Sequence, residues 1–191
     1  MMTVQNLNNV PSPSVNRGRL ILIALVALFA MPAIVAKLIL EMNWYQPGVT
    51  NKGMLVEPES YLSDFKMPGS QDKQWQLGYV LPAKCGSLCQ QQLHLLQQSY
   101  VSLGKYQDRV QPTVYVTSES DTSVLNDYSF ERVTSTRDFL AKFEQQEYII
   151  VDPRGQLVMH YPKEINPDLL IQQSKGLIAD FRKLLKLSRV G

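Results

Sequence analysis

Apolar residues are distributed unevenly and divide the chain into two parts. Residues 20–40 are almost continuously apolar and carry a single lysine, and about 20 such residues in a helix cross a bilayer. Arg17 and Arg19 precede this run without a nearby acidic residue, which predicts a cytoplasmic N-terminus. The pattern therefore predicts a disordered cytoplasmic tail over 1–19 and a transmembrane helix over 20–40. A cleaved signal peptide is the alternative, but the run is long and Ile34–Ala36 is a poor cleavage site.

After the apolar run, strand patterns and helix patterns alternate. The predicted strands are 75–81, 112–117, 148–151 and 157–161. The predicted helices run from Ser87 to about Gly104, over 139–143, and from Pro167 onward. Ser135 and Asp138 form an approximate capping box before the second helix, and Asp152–Gly155 has the residues of a type I turn within a hairpin. The order β-α-β-α-β-β-α, with a parallel portion and an antiparallel hairpin edge, predicts a thioredoxin-like α/β domain with a central mixed sheet.

Domain boundaries and composition narrow the function classes. We expect residues 41–70 to connect the transmembrane helix to an exported thioredoxin-like domain over 71–191. The 191 residues carry a net charge of only +2 and no block of basic residues, which argues against a nucleic-acid partner. Two cysteines exclude a disulfide-rich scaffold, and two histidines are too few for a histidine-based metal centre.

Both cysteines lie at the predicted junction between the first strand and the first helix. Cys85 and Cys89 form a C-x3-C motif, and residues four apart in a helix have Cα atoms about 6 Å apart, within the range of a disulfide. The pair can therefore close a disulfide or present two sulfurs to one metal ion. A helix N-terminus and the neighbouring Lys84 both lower the pKa of a thiol. A structural disulfide or a buried apolar pair is the alternative, but the position favours redox or metal chemistry.

These features resemble the SCO family of membrane-anchored, thioredoxin-like proteins, which bind copper and assist assembly of cytochrome c oxidase. The resemblance rests on the single apolar helix, the segment Asn51–Val56, the motif Cys85-x3-Cys89, and the hairpin Tyr148–Gly155 followed by a terminal helix. It implies Cu(I) as the metal and the copper subunit of the oxidase, or another assembly protein, as the partner. The absence of a long Arg/Ser-rich presequence favours a bacterial inner membrane, with the domain in the periplasm.

One expected copper ligand of that family has no counterpart here. The family carries a histidine shortly before the strand that begins at Tyr148, whereas this chain has 142–147 without one. Glu144 lies nearest the expected position, but a carboxylate is a hard donor that suits Cu(I) poorly. His160, on the second hairpin strand, is a further candidate ligand with Cys85 and Cys89.

Other soft donors are less favourable as ligands. His94 lies five residues after Cys89 on the same helix, about 140° around its axis, so it is poorly placed to share a metal with both sulfurs. Met54 and Met67 fit packing roles better than ligation.

Two hypotheses from different classes follow. In the first, the protein is an oxidase assembly factor that acts by thiol–disulfide exchange, with Cys85 attacking and Cys89 resolving, or by handling Cu(I) through both. In the second, it is a non-catalytic membrane-anchored scaffold with a structural disulfide. A generic thioredoxin-type reductase fits less well, because the motif is not C-x-x-C and no proline immediately precedes Tyr148.

Overall fold

The structure is a computed structural model that describes residues 15–42, 50–70 and 72–188. The chain divides into two compact units, Met1–Gly48 and Val49–Gly191. In the first unit, a helix α1 runs from Val15 to Glu41, and its apolar stretch is long enough to be a candidate membrane span. Of the predicted tail, residues 15–19 belong to this helix and residues 1–14 lie outside the described part of the chain.

The second unit is built on one six-stranded sheet. Its strands are β1 Met54–Tyr61, β2 Trp75–Val80, β3 Val110–Val116, β4 Glu131–Thr134, β5 Tyr148–Val151 and β6 Gln156–Tyr161. Its helices are α2 Ser87–Ser102, α3 Arg137–Lys142 and α4 Pro167–Leu187. The strand order is β1-β6-β5-β2-β3-β4, with β2, β3 and β4 parallel and the other pairings antiparallel. The predicted α/β class with a mixed sheet is confirmed.

Two apolar clusters separate the faces of this sheet. One cluster joins β2 and β5 to α2 and α4, and it includes Leu77, Leu93 and Phe181. The other joins the opposite face to α3 and includes Val80, Ile149 and Phe139. Alternation along each strand therefore decides which helix layer a side chain meets.

Strands β1 and β4 are additions to the predicted order. Strand β1 lies in the segment that the sequence pattern assigned to a connection over 41–70, and it forms the edge of the sheet beside β6. Pro58 and two glutamates interrupt its apolar pattern, which is tolerated because an edge strand has one unpaired side. Strand β4 has only four residues. Because β1 pairs with β6, the predicted hairpin of β5 and β6 lies inside the sheet and not at its edge.

Local sequence signals predicted the turn and the helix cap more accurately than the edges of the sheet. Gly155 has a φ of +86°, and the Asp152 Oδ1 atom accepts hydrogen bonds from the N–H groups of Arg154 and Gln156, both at 2.8 Å. The predicted turn is therefore confirmed. The cap of α3 differs by one residue, because the Thr136 hydroxyl accepts from the Phe139 N–H while Ser135 bonds elsewhere.

A buried carboxylate fastens the beginning of the second unit to α4. Asp180 is 5% exposed, and its Oδ2 atom accepts hydrogen bonds from the N–H groups of Lys52 and Gly53 and from the Tyr161 hydroxyl, at 2.6, 2.9 and 2.8 Å. A Cβ atom at Gly53 would lie 2.5 Å from the Tyr161 ring. The segment that enters the domain is thus held closely against this helix.

Candidate functional site

Cys85 and Cys89 lie where the chain passes from β2 to α2. Cys85 precedes the helix, Gly86 is its N-cap, and Cys89 is the third helical residue. The two residues form a disulfide with a Cα–Cα distance of 5.2 Å. This distance is shorter than the helical value expected from the sequence because only Cys89 has helical geometry.

The two cysteines differ in exposure. Cys89 is 0% exposed and belongs to the cluster between the sheet and α2, whereas Cys85 is only partly buried against that cluster. Gly86 has no side chain that could cap the helix, so no capping side chain occupies the N–H groups of the first turn beside Cys85. A thiolate on Cys85 would therefore be the accessible one, next to the positive end of the helix dipole.

The loop before Cys85 is fixed by the connection that follows β3. The Leu81 carbonyl accepts a hydrogen bond from the Ser120 hydroxyl at 3.1 Å, and the Ala83 carbonyl accepts one from the Asp121 N–H at 3.2 Å. Asp121 also caps the short 3-10 turn Thr122–Leu125. These contacts hold the backbone that leads into the motif.

Behind the disulfide, Gln92 connects the first turns of α2 to the sheet. Its side chain is 0% exposed, and its Oε1 atom accepts a hydrogen bond from the Tyr79 hydroxyl at 2.8 Å. Its backbone carbonyl accepts one from the Tyr148 hydroxyl at 2.8 Å, and its Nε2 atom lies 3.5 Å from the Gln146 carbonyl. Burial raises the pKa of both tyrosines, so their hydroxyls remain protonated donors at neutral pH. This network joins the helix of Cys89 to the loop before β5.

His160 lies on the other side of the sheet from Cys89. Its neighbours in β6, Met159 and Tyr161, belong to the cluster that contains Cys89, so alternation points His160 away from it. The His160 Nδ1 atom lies 3.1 Å from Oε2 of Glu147, which is 6% exposed, and the ring contacts Phe143 edge-on. The structure therefore pairs His160 with a buried carboxylate and not with the two sulfurs.

The remaining candidate ligands are also dispersed. Glu144 is exposed in the loop between α3 and β5, and Met54 is exposed on β1. Met67 is buried in the cluster that packs against α3, as a packing role requires. His94 is exposed and lines a groove of about 620 Å³ between α2 and α4, together with Leu95 and other residues of the two helices.

Within residues 15–42, 50–70 and 72–188, no three His, Cys, Asp or Glu side chains come close enough to hold a metal ion. The reduced motif would supply two sulfur donors and nothing else from this set. The residues present therefore do not fit a site made of two cysteines and a histidine, and we assign no step to copper.

The sequence gives little indication of two buried polar residues, Gln92 and Glu147. Gln92 belongs to a run of three glutamines, and only its spacing of three residues from Cys89 indicates that it shares the buried face. Glu147 immediately precedes an apolar strand, which gives a weak signal of burial.

The family comparison agrees with this architecture. A family model described as "transmembrane-like, thioredoxin-like, C-terminal domain" matches residues 75–188. No curated protein sequence matches the chain. Among solved structures, the apo Sco1 protein of Thermus thermophilus has 17% identity and a TM-score of 0.48, over 73% of this chain and 99% of that one.

Two further Sco structures are similar to this chain at lower scores. BsSco is described as a member of the Sco family of cytochrome c oxidase assembly proteins with a disulfide switch. It has 14% identity and a TM-score of 0.45, over 75% of this chain and 100% of that one. Arabidopsis thaliana ScoI with copper bound has 14% identity and a TM-score of 0.41, over 58% and 85%.

Proposed function

Since the chain belongs to the transmembrane-like, thioredoxin-like C-terminal domain family, we propose that it is a membrane-anchored thiol–disulfide exchange protein that assists assembly of cytochrome c oxidase. The observation that carries this proposal is the bridged pair at the start of α2, in which Cys85 is accessible and Cys89 is buried. This asymmetry suits an exchange reaction, because the accessible sulfur can meet the partner while the other sulfur resolves the intermediate.

The reaction begins from the reduced pair. The Cys85 thiolate attacks a disulfide of the partner and forms a mixed disulfide, which releases one partner thiolate. The Cys89 thiolate then attacks the sulfur of Cys85 and releases the second partner thiolate. The partner disulfide gains two electrons and becomes a dithiol, and Cys85 and Cys89 become the observed disulfide. A dithiol reductant from outside the chain must restore the reduced pair.

The setting of this reaction rests on the anchor and on the sequence resemblance. Helix α1 is a candidate membrane span, and the arginines before its apolar run favour a cytoplasmic N-terminus and a periplasmic domain at a bacterial inner membrane. The order of apolar helix, C-x3-C motif and closing hairpin resembles the SCO family. We therefore propose the cysteine pair of the oxidase copper subunit, or of another assembly protein, as the substrate.

Trapping of the mixed disulfide tests the exchange step. Full-length protein in detergent is reduced and mixed with an oxidised copper-subunit domain, in variants Cys89→Ser and Cys85→Ser. Cys89→Ser should accumulate the mixed disulfide because the exposed Cys85 attacks and no resolving thiol remains. Cys85→Ser should accumulate at least about tenfold less, because Cys89 is buried. Equal yields, or none from either variant, would support a scaffold with a structural disulfide.

Competition for Cu(I) separates exchange from copper handling. The reduced full-length protein is titrated with Cu(I) against a calibrated chelator, beside Cys85→Ser. Because no third His, Cys, Asp or Glu among the described residues joins the two sulfurs, we expect the chelator to retain the copper. Tight one-to-one binding that Cys85→Ser abolishes would instead support a two-coordinate copper carrier.

A further inference from the structure

The outward face of α4 carries a stripe of positive charge. Its exposed members include Lys175, Arg182 and Lys186. Arg182 and Lys186 follow Lys175 by seven and eleven residues, which places all three within about 40° of one another around the helix axis. Lys183 is also exposed and lies beside them, about 80° from Lys175. The stripe extends about 16 Å along the helix.

Charges on this stripe are not neutralised within the described part of the chain, where none of its cations forms an ion pair. Of the nearby acids, Asp180 is buried and occupied by Lys52, Gly53 and Tyr161. Glu164 lines a groove with Lys52 and Lys175, and its Oε1 atom accepts a hydrogen bond from the Asn166 N–H at 2.8 Å. The C-terminal position of Arg182, Lys183 and Lys186 is explained in part by the helix dipole. The dipole does not explain Lys175, which lies in the middle of the helix.

A cation from another segment joins the same face. Lys52 is exposed, and its side chain lies over Gly176, where a Cβ atom would be 2.8 Å from the Lys52 Cβ. The Lys183 Nζ atom donates to the Thr50 hydroxyl at 2.8 Å. The segment that enters the domain is therefore fastened to the basic face itself.

The connection between α1 and Thr50 is short in sequence. Helix α1 ends at Glu41, and residues 43–49 separate Met42 from Thr50. Eight fully extended Cα–Cα steps cover at most about 28 Å. This short connection tethers the domain to α1.

We propose that the basic face of α4, formed by Lys52, Lys175, Arg182, Lys183 and Lys186, binds the anionic headgroups of the membrane in which the protein is anchored. This inference rests on the membrane anchoring in the proposed function. Tethering keeps the local concentration of headgroups high, and each cation near an anionic surface adds to the attraction. The domain then presents α4 to the bilayer.

Lysine labelling in nanodiscs tests this arrangement. Full-length oxidised protein is placed in discs of phosphatidylcholine and in discs in which a quarter of the lipid is phosphatidylglycerol. A brief acetylation pulse is quantified by mass spectrometry at each lysine. Labelling of Lys175 and Lys186 should fall about threefold or more in the anionic discs and recover at 0.5 M salt, where screening is stronger. Lys66, exposed beside the other cluster, should label equally in both discs.

A charge-reversal variant separates lipid binding from other causes of protection. Lys175→Glu/Lys186→Glu should abolish the lipid-dependent protection of Lys183, whereas Lys66→Glu should leave it intact. Equal labelling of Lys175 and Lys186 in the two kinds of disc would overturn the proposal. A chain that enters neither disc would overturn the anchoring as well. A chain that enters both without protection refutes only the lipid contact.

Discussion

The hydrogen bond between Tyr79 and Gln92 offers a sharp test of the network behind the disulfide. In Gln92→Met, the side chain keeps a similar volume but can no longer accept from the Tyr79 hydroxyl. Both residues are 0% exposed, so water cannot replace the lost partner. A buried hydroxyl without a partner costs about 1–3 kcal/mol, and we expect the free energy of unfolding to fall by that amount.

The double variant distinguishes this cause from ordinary repacking. Tyr79→Phe alone leaves the side-chain Oε1 atom of Gln92 without its 2.8 Å donor and should lower the free energy of unfolding by a similar amount. In Tyr79→Phe/Gln92→Met neither group is present, so the combined cost should be at least about 1 kcal/mol below the sum of the single costs. Tyr115→Phe is the matched control, because its buried hydroxyl bonds the Gln76 side chain and the residue belongs to the cluster on the other face of the sheet.

Denaturant unfolding of the full-length oxidised protein in detergent measures these differences. Tryptophan fluorescence is a suitable signal, since Trp75 is 4% exposed and its ring centroid lies 5.9 Å from that of Phe181 in the core. We expect Tyr115→Phe and Gln92→Met to combine additively to within about 0.5 kcal/mol, because the two side chains share no partner. Additive costs for Tyr79→Phe and Gln92→Met would refute the hydrogen bond as the source of the coupling.

Three further predictions concern the frame around the site. Asp180→Ala should lower the free energy of unfolding by about 3 kcal/mol or more because three donors lose their acceptor, whereas Asp180→Asn, which keeps one oxygen, should cost less in the same denaturation assay. Gly53→Ala should lower the melting temperature and Gly69→Ala should not, because an added Cβ atom would lie 2.5 Å from the Tyr161 ring at Gly53 and would have nothing within 4 Å at Gly69. Burial raises the pKa of Tyr79, so near pH 10 this group ionises only in the unfolded chain. The free energy of unfolding, measured by denaturation at a series of pH values, should therefore be unaffected by this group below about pH 10 and should fall above it.

Elements with strong local signals were predictable from the sequence. The alternating pattern of β2, the helical spacing after Ser87, and the Asp-Pro-Arg-Gly turn each depend on neighbouring residues, and the structure contains all three. Strand β1 depends instead on pairing with β6, about 100 residues later, and its own pattern is broken by Pro58. Long-range pairing of a polar edge strand leaves little trace in a single sequence.

The candidate site was likewise predictable from the sequence only in part. The spacing and position of Cys85 and Cys89 were sufficient to predict that they could bridge, as they do. The direction of His160 was not predictable, because a shift of one residue in register moves a side chain to the other face of a sheet. Buried polar residues such as Gln92 and Asp180 were missed because polarity is ordinarily a sign of exposure, and only the hydrogen-bond partners of the folded chain reverse it.

Reduction should leave the domain folded, which makes a reversible redox measurement practicable. The disulfide closes a loop of only five residues, and in the chain-entropy model such a loop contributes about 2 kcal/mol. Far-ultraviolet circular dichroism of the reduced protein provides the control for folding.

The reduction potential of the Cys85–Cys89 pair tests the central claim most directly. Full-length protein in detergent is equilibrated in thiol–disulfide buffers of known potential, quenched with acid and alkylated, and the reduced and oxidised forms are quantified by mass spectrometry. An exchange protein should have a potential above about −250 mV, where the pair can cycle with partner dithiols. A potential well below about −300 mV would contradict the account and leave Cys85–Cys89 as a structural disulfide.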